Sequence, residues 1–295
     1  MMPIDPPLGD MTGKPSVKVK ASAHSHAEEQ SFETEILEIH GQPLCVGRRT
    51  GNGSSPPLLL FNGIGGNIEL LGPIARWMPG RELIIFDVPG VGRSPLPVLP
   101  YRLRTIASLG AGVLDHYGHQ QADVLGVSWG GGAAQQFARS QANRCRRLIL
   151  CATAPGVLMV PGHPGVILKM ATPRRYANKR YAKSISGDIY GGDFRRDPGL
   201  ADEHFKHVKW QSRLGYYLQL AAMAGWTSLH WLYQLRQPTL VMAGSDDPIV
   251  PLTNAQVMAW LIPHSELKVF DCGHLFLLTR AEEACGAITE FLDKP

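Results

Sequence analysis

The stretch GVSWGG at 126–131 places Ser128 between Gly126 and Gly130, with Trp129 directly behind it. A serine hydroxyl is a weak nucleophile until a base takes its proton, and that base needs a carboxylate to orient it. Of eleven histidines, His274 is the best placed, because it follows the apolar run SELKVFD (265–271) in a short loop at a strand end. His264 and His204 lack that position and read as solvated loop residues. For the acid, GSDDPIVP (244–251) follows another apolar run, and Asp246 and Asp247 both qualify by position. An oxyanion formed at an attacked carbonyl needs backbone donors. Trp129 N–H is one candidate, and the loop NGIGG (62–66) offers Ile64 N–H as the other.

The elements around these residues must hold them. PPLLLF (56–61), ELIIFD (82–87), ADVLGV (122–127), RRLILCAT (146–153), PTLVMAG (238–244) and SELKVFD are short continuous apolar runs, the pattern of strands buried on both faces. TEILEIHG (34–41) and QPLCVGRR (42–49) read as an antiparallel hairpin at a sheet edge. Helical spacing recurs at Ile106, Leu109, Val113 and Leu114, and WGGGAAQQFARSQ (129–141) starts a helix directly behind Ser128. Thr253 with Gln256 and Thr279 with Glu282 have capping-box spacing. Strands alternating with helices predict an α/β fold with a mostly parallel, doubly wound sheet. With strand before and helix after, the turn at Ser128 is so sharp that side chains at Gly126 or Gly130 would collide with backbone. The order Ser…Asp…His is the one used by the α/β-hydrolase fold.

The alternation breaks once, where about 85 residues separate two strands, far more than a crossover helix requires. Residues 155–235 are therefore expected to form an inserted, mainly helical lid over the sheet's carboxyl edge. The core is then 31–154 with 236–295, preceded by a loose polar extension (1–30) in which His24 and His26 are incidental.

Other function classes are disfavoured. The formal charge of +4 is too mild for a nucleic-acid partner. PRRYANKRYAK (173–183) reads as a solvated face, with docking on an anionic surface as the alternative. Five scattered cysteines with no C-x-x-C pair fit reduced thiols in a cytosolic protein. No apolar run approaches a bilayer span, and no metal cluster or nucleotide loop is evident. FDVPGVGRS (86–94) is read as a tight structural loop. The residues alone thus leave a serine acyl hydrolase or acyltransferase, with a binding module on a hydrolase scaffold as the alternative from another class.

LLLFNGIGGNIEL, FDVPGVGRS, GVSWGG, MVPGHP, IYGGDFRRDP, GWTSLHWL, QPTLVMAGSDDPIVP and GHLFLLTRAE together resemble the intracellular depolymerases of medium-chain-length poly(3-hydroxyalkanoate), from about residue 35 to 293. The resemblance implies cofactor-free hydrolysis of a storage polyester to 3-hydroxyalkanoic acids. The enzyme would be cytoplasmic or granule-associated, with the basic stretch of the lid as a docking surface. It assigns the triad to Ser128, Asp247 and His274, choosing Asp247 through D-x-I-V-P and leaving Asp246 to cap the turn. Met159, Trp210, Tyr216, Tyr217, Trp226, Trp231 and Tyr233 offer apolar lid surface, and Met159, Trp226 and Trp231 are the candidate substrate contacts. A 3-hydroxyacyl transferase or general carboxylesterase of the same fold is the runner-up. The H-x-x-x-x-D element expected of the transferases is missing.

Overall fold

The computed structural model describes residues 32–206, 208–209 and 212–295; the segment 1–30 and Trp210 lie outside the described residues. Eight strands, β1 (Glu33–Ile39), β2 (Gln42–Arg49), β3 (Leu58–Phe61), β4 (Leu83–Phe86), β5 (Ala122–Val127), β6 (Cys145–Cys151), β7 (Thr239–Gly244) and β8 (Ser265–Phe270), form one sheet in the order β1-β2-β4-β3-β5-β6-β7-β8. β1 and β2 make the antiparallel edge hairpin. β2 runs antiparallel to β4, and every pairing from β4 to β8 is parallel. The chain has the α/β-hydrolase architecture.

β3, β4, β5 and β7 are buried along their whole length. Helices cover both sheet faces, which is why these strands carry no polar alternation. On one face Phe61 packs edge-on to Phe86 at 5.7 Å and contacts Phe137, beside Ile106, Leu109, Val113 and Leu114 of the helix Leu103–His116. On the other, Leu60, Ile149 and Phe276 meet Phe291 of the helix Ala281–Leu292. All five cysteines are buried and unpaired. Burial pushes the thiols of Cys45 and Cys285 up to about 11 and about 12, so they behave as small core hydrophobes.

Neither expected capping box forms. The helix Leu252–Leu261 begins before Thr253, with Pro251 at its N-cap position and no side-chain cap. Its neighbour Asn254 is buried and bonds both the N–H and C=O of Val160. Arg280 takes the N-cap position of Ala281–Leu292, because Thr279 ends a preceding turn of helix, Phe276–Thr279, and faces Cys272 Sγ at 3.1 Å. In both places a tertiary contact outcompetes the local cap.

Between β6 and β7 lie the helices Pro164–Met170, Arg174–Ala177, Lys179–Tyr190, Gly192–Arg196, Gly199–Lys206 and Arg213–Met223. They enclose a small core of their own, including Ile185, Ile189, Phe194 and Phe205. Two starts are capped: Asn178 accepts from Tyr181 N–H, and Ser212 from Gly215 N–H. The basic stretch here is not uniformly solvated. Arg174, Lys179, Arg180 and Lys183 are exposed, but Arg175 is 1% exposed. The reason is orientation: one guanidinium of the run turns inward toward the sheet edge.

Candidate active site

Parallel strands end at the same edge, so the loops after β3, β5, β7 and β8 converge there whatever their distance in sequence. Ser128 follows β5 at φ 52° and ψ −116°, a strained combination for a residue with a side chain. Its surroundings over-determine it. Ser128 N–H donates to Cys151 O, and the Thr153 hydroxyl donates to Ser128 O. A Cβ on Gly126 would lie 2.4 Å from Gly130 O, and one on Gly130 would lie 2.2 Å from Phe61 O. Only hydrogen fits at either position, so the helix Trp129–Ser140 leaves directly from the strand end. Its first N–H groups, that of Trp129 among them, lack an intrahelical acceptor and point toward the edge.

Asp247 sits in the loop after β7 and His274 in the loop after β8. His274 Nδ1 lies 2.6 Å from Asp247 Oδ2, and both side chains are almost fully buried. A carboxylate only accepts, so Nδ1 carries the proton and Nε2 is left as the basic nitrogen. Asp247 Oδ1 accepts from Ile249 and Val250 N–H, which fixes the carboxylate plane. Asp246 points elsewhere: its Oδ2 accepts from Gly192 N–H and from Arg195. It holds the start of a helix in the insertion, not its own turn. Its carboxyl pKa is lowered; burial opposes this, but the Gly192 N–H and the Arg195 and Arg196 cations prevail.

Ser128 and His274 line one narrow cavity of about 70 Å³, with Gly63, Ile64, Leu70, Leu71, Ile249, Leu275 and Leu278 among its walls. The insertion closes it with Met170, Arg175, Tyr176, Tyr190 and His204. His204, read from sequence as a solvated loop residue, instead belongs to this wall. The three candidate substrate contacts, Met159, Trp226 and Trp231, are not among the residues lining this cavity. Trp226 donates to Gln136 Oε1 and packs edge-on to Trp231. Both pack on the core around the helix behind Ser128, with Arg139 over the Trp231 ring. Met159 packs into the insertion's own core. Their hydrophobicity is spent on seating the insertion, a use that composition cannot separate from lining a pocket.

Gln219 went unnoticed in the sequence. Fully buried, it accepts from Gly65 N–H through Oε1, and its backbone carbonyl accepts from the Trp129 indole. The insertion thereby ties the Ile64 loop to the residue behind the serine. Tyr176 adds a second tie by donating to Ile64 O at 2.6 Å. The motif IYGGDF also acquires a meaning. Gly191 (φ 65°) and Gly192 (φ 46°) wedge backbone between the two loops that carry Asp247 and His274. A Cβ on Gly191 would lie 2.1 Å from Asp246 O, and one on Gly192 would lie 2.0 Å from Gly273 N. His274 N–H donates to Tyr190 O in the same contact.

The loop FDVPGVGRS is structural in its contacts. Asp87, buried, accepts from Ile68 and Arg93 N–H. Burial raises its pKa to about 6 against the pull of those two donors.

A family model described as alpha/beta hydrolase fold matches residues 56–281. The chain belongs to the α/β-hydrolase family. Solved structures agree on the fold: an esterase from Exiguobacterium antarcticum superposes with a TM-score of 0.76 at 21% identity, covering 89% of this chain and 100% of that one. The enol-lactonase from Burkholderia xenovorans gives a TM-score of 0.75 at 21% identity, covering 88% and 100%. Within the family, the chain is 48% identical over 266 residues to the poly(3-hydroxyalkanoate) depolymerase of Ectopseudomonas oleovorans, spanning 90% of this chain and 94% of that protein. That similarity places the chain beside this depolymerase and makes it an ester hydrolase. Identity to the 2-hydroxymuconate semialdehyde hydrolase of Pseudomonas sp. strain CF600 is 28% over 276 residues, 86% of this chain and 94% of that one. No helix among the described residues is long and apolar enough to cross a membrane.

Proposed function

We infer that the protein hydrolyses the ester bonds of poly(3-hydroxyalkanoate) of medium side-chain length, stored inside the cell, through an acyl-enzyme on Ser128. The observation that carries this is the buried His274–Asp247 pair at 2.6 Å on the cavity that also exposes Ser128. The 48% identity to a depolymerase supports the substrate class.

His274 Nε2 takes the Ser128 proton as Oγ attacks the ester carbonyl. Asp247 holds the ring in the tautomer that makes Nε2 basic and stabilises the imidazolium that follows. The developing oxyanion is met by the N–H groups of Ile64 and Trp129. His274 then gives its proton to the departing alcohol oxygen, and a water deprotonated by His274 releases the acyl group from Ser128 as a carboxylic acid. The insertion 155–235 acts as the lid, and with the apolar walls that Leu70, Leu71, Ile249, Leu275 and Leu278 supply from the core it keeps water from the reacting ester.

Ser128→Ala is expected to lower release of 3-hydroxyoctanoate by at least about 10⁴-fold, with an unchanged circular dichroism spectrum and no labelling by a fluorophosphonate. Turnover retained in this variant refutes the mechanism. An octanoate-type polyester should be preferred to a butyrate-type one.

A further inference from the structure

Among the described residues four arginines are buried, and three have conventional partners. Arg49 donates to the carbonyls of Ala75, Met78 and Arg81. Arg81 pairs with Asp123 and Asp293, and Arg147 donates to the carbonyls of Lys294 and Pro295. Arg175 is the most buried of the four, at 1%, and among the described residues it has neither a carboxylate nor a carbonyl. Its Nη atoms donate to the hydroxyls of Tyr216 (2.9 Å) and Tyr176 (3.3 Å), with Tyr190 beside them. The hydroxyls of Tyr216 and Tyr176 spend their own protons on Met170 O and Ile64 O, so they offer Arg175 neutral oxygen only. Its Nε is buried with no acceptor. Arg49 Nε also lacks one, but carbonyls hold the other nitrogens of that guanidinium.

Taking a cation out of water is strongly unfavourable unless an anion answers it. Here it lines the cavity that contains Ser128 and His274. We propose that Arg175 binds the free carboxylate at the end of a hydroxyalkanoate chain, so that the enzyme removes terminal units from the carboxyl end. This rests on the depolymerase reading above. In a terminal unit only two carbons separate the scissile ester oxygen from the carboxylate. The charge therefore falls in the same cavity as the reacting atoms, on the leaving-group side. When the ester C–O bond breaks, its oxygen takes the proton from His274 and departs as the hydroxyl of a 3-hydroxyalkanoate whose carboxylate stays on Arg175. An internal segment of the polymer presents only neutral esters and leaves the guanidinium with no anion, only the hydroxyls and ring faces of Tyr176 and Tyr216.

The test measures binding, not turnover. Titration calorimetry on Ser128→Ala protein compares the linear dimer of 3-hydroxyoctanoate with its methyl ester. The free acid is expected to bind at least about tenfold more tightly, the range of a charge-assisted hydrogen bond. Adding Arg175→Gln should weaken the acid to the level of the ester and leave the ester within about twofold, and Arg175→Lys should retain part of the preference. A merely structural Arg175 predicts parallel loss for both ligands. That result, or equal binding of acid and ester where Arg175 is intact, overturns the proposal. The comparison with Arg175 intact decides the matter even if the Gln variant does not fold. Turnover of p-nitrophenyl octanoate by the unaltered enzyme tests the hydrolase reading separately, so the two failures are distinguishable.

Discussion

Asp247→Asn separates the two adjacent aspartates by their chemistry. Asp247 accepts three hydrogen bonds: two from Ile249 and Val250 N–H on Oδ1 and one from His274 on Oδ2. Asparagine keeps a carbonyl oxygen for the two backbone donors, so the loop stays in place and the stability cost is small. The other atom becomes an NH₂ that only donates, and it meets His274 Nδ1. The imidazole must then accept at Nδ1 and carry its proton on Nε2, the nitrogen that receives the Ser128 proton in the proposed mechanism. The same exchange in serine hydrolases lowers kcat by about 10⁴, a barrier increase of about 5 kcal/mol at 1.36 kcal/mol per decade. Asp246→Asn is the matched control. It weakens an ion pair to Arg195, which is about half exposed, and such pairs contribute about 0–1 kcal/mol. Its kcat should stay within about threefold of the parent. The assay is steady-state hydrolysis of p-nitrophenyl octanoate, with thermal unfolding of each variant to show an intact fold. A folded Asp247→Asn enzyme within tenfold of the parent, or an Asp246→Asn enzyme as impaired as Asp247→Asn, refutes the assignment.

Two further outcomes follow from local geometry. Gly191→Ala puts a Cβ 2.1 Å from Asp246 O at φ 65° and should cost about 3 kcal/mol or more along with most activity. Gly286→Ala, in the helix Ala281–Leu292 with open space around it, should stabilise by about 0.5–1 kcal/mol; urea denaturation checks both. Asp193 ties the insertion to Arg280. Burial raises its carboxyl pKa, but hydrogen bonds from Arg280, Cys272 and Thr279 prevail and hold it at about 2, below its ordinary 3.8. The folded form thus binds that proton less readily than the unfolded chain. The contribution is complete above about pH 4 and fades as pH falls toward 2. Asp193→Asn should therefore cost about 1 kcal/mol of stability at pH 5 once solvent screening is allowed for, and so flatten the fall of Tm between pH 5 and pH 2.5. An unchanged slope contradicts this.

The sequence by itself determined the sheet and the positions of the site loops. Continuous apolar runs such as LLLF, LIIF and ADVLGV mark strands buried on both faces, and that signal is local. GVSWGG was legible because the glycine spacing of a strand–serine–helix turn is written in the motif itself; Gly126 meets the nearby Gly130 O, while the tertiary partner of Gly130, Phe61 O, lies on another strand. Residue position alone could not separate Asp246 from Asp247, since both follow the same strand and only packing decides which carboxylate faces His274. Arg175 looked like any cation in PRRYANKRYAK, and the aromatic residues Trp226 and Trp231 looked like pocket lining. Periodicity reports which face of an element is covered, not what covers it. What lies over a sheet edge depends on how a long insertion folds back, through contacts between residues far apart in the chain. Gln219 reaches Gly65 across 154 positions, and no local pattern records such a bond. The tertiary structure alone therefore decided which polar groups of the insertion face the serine and which merely hold the insertion down.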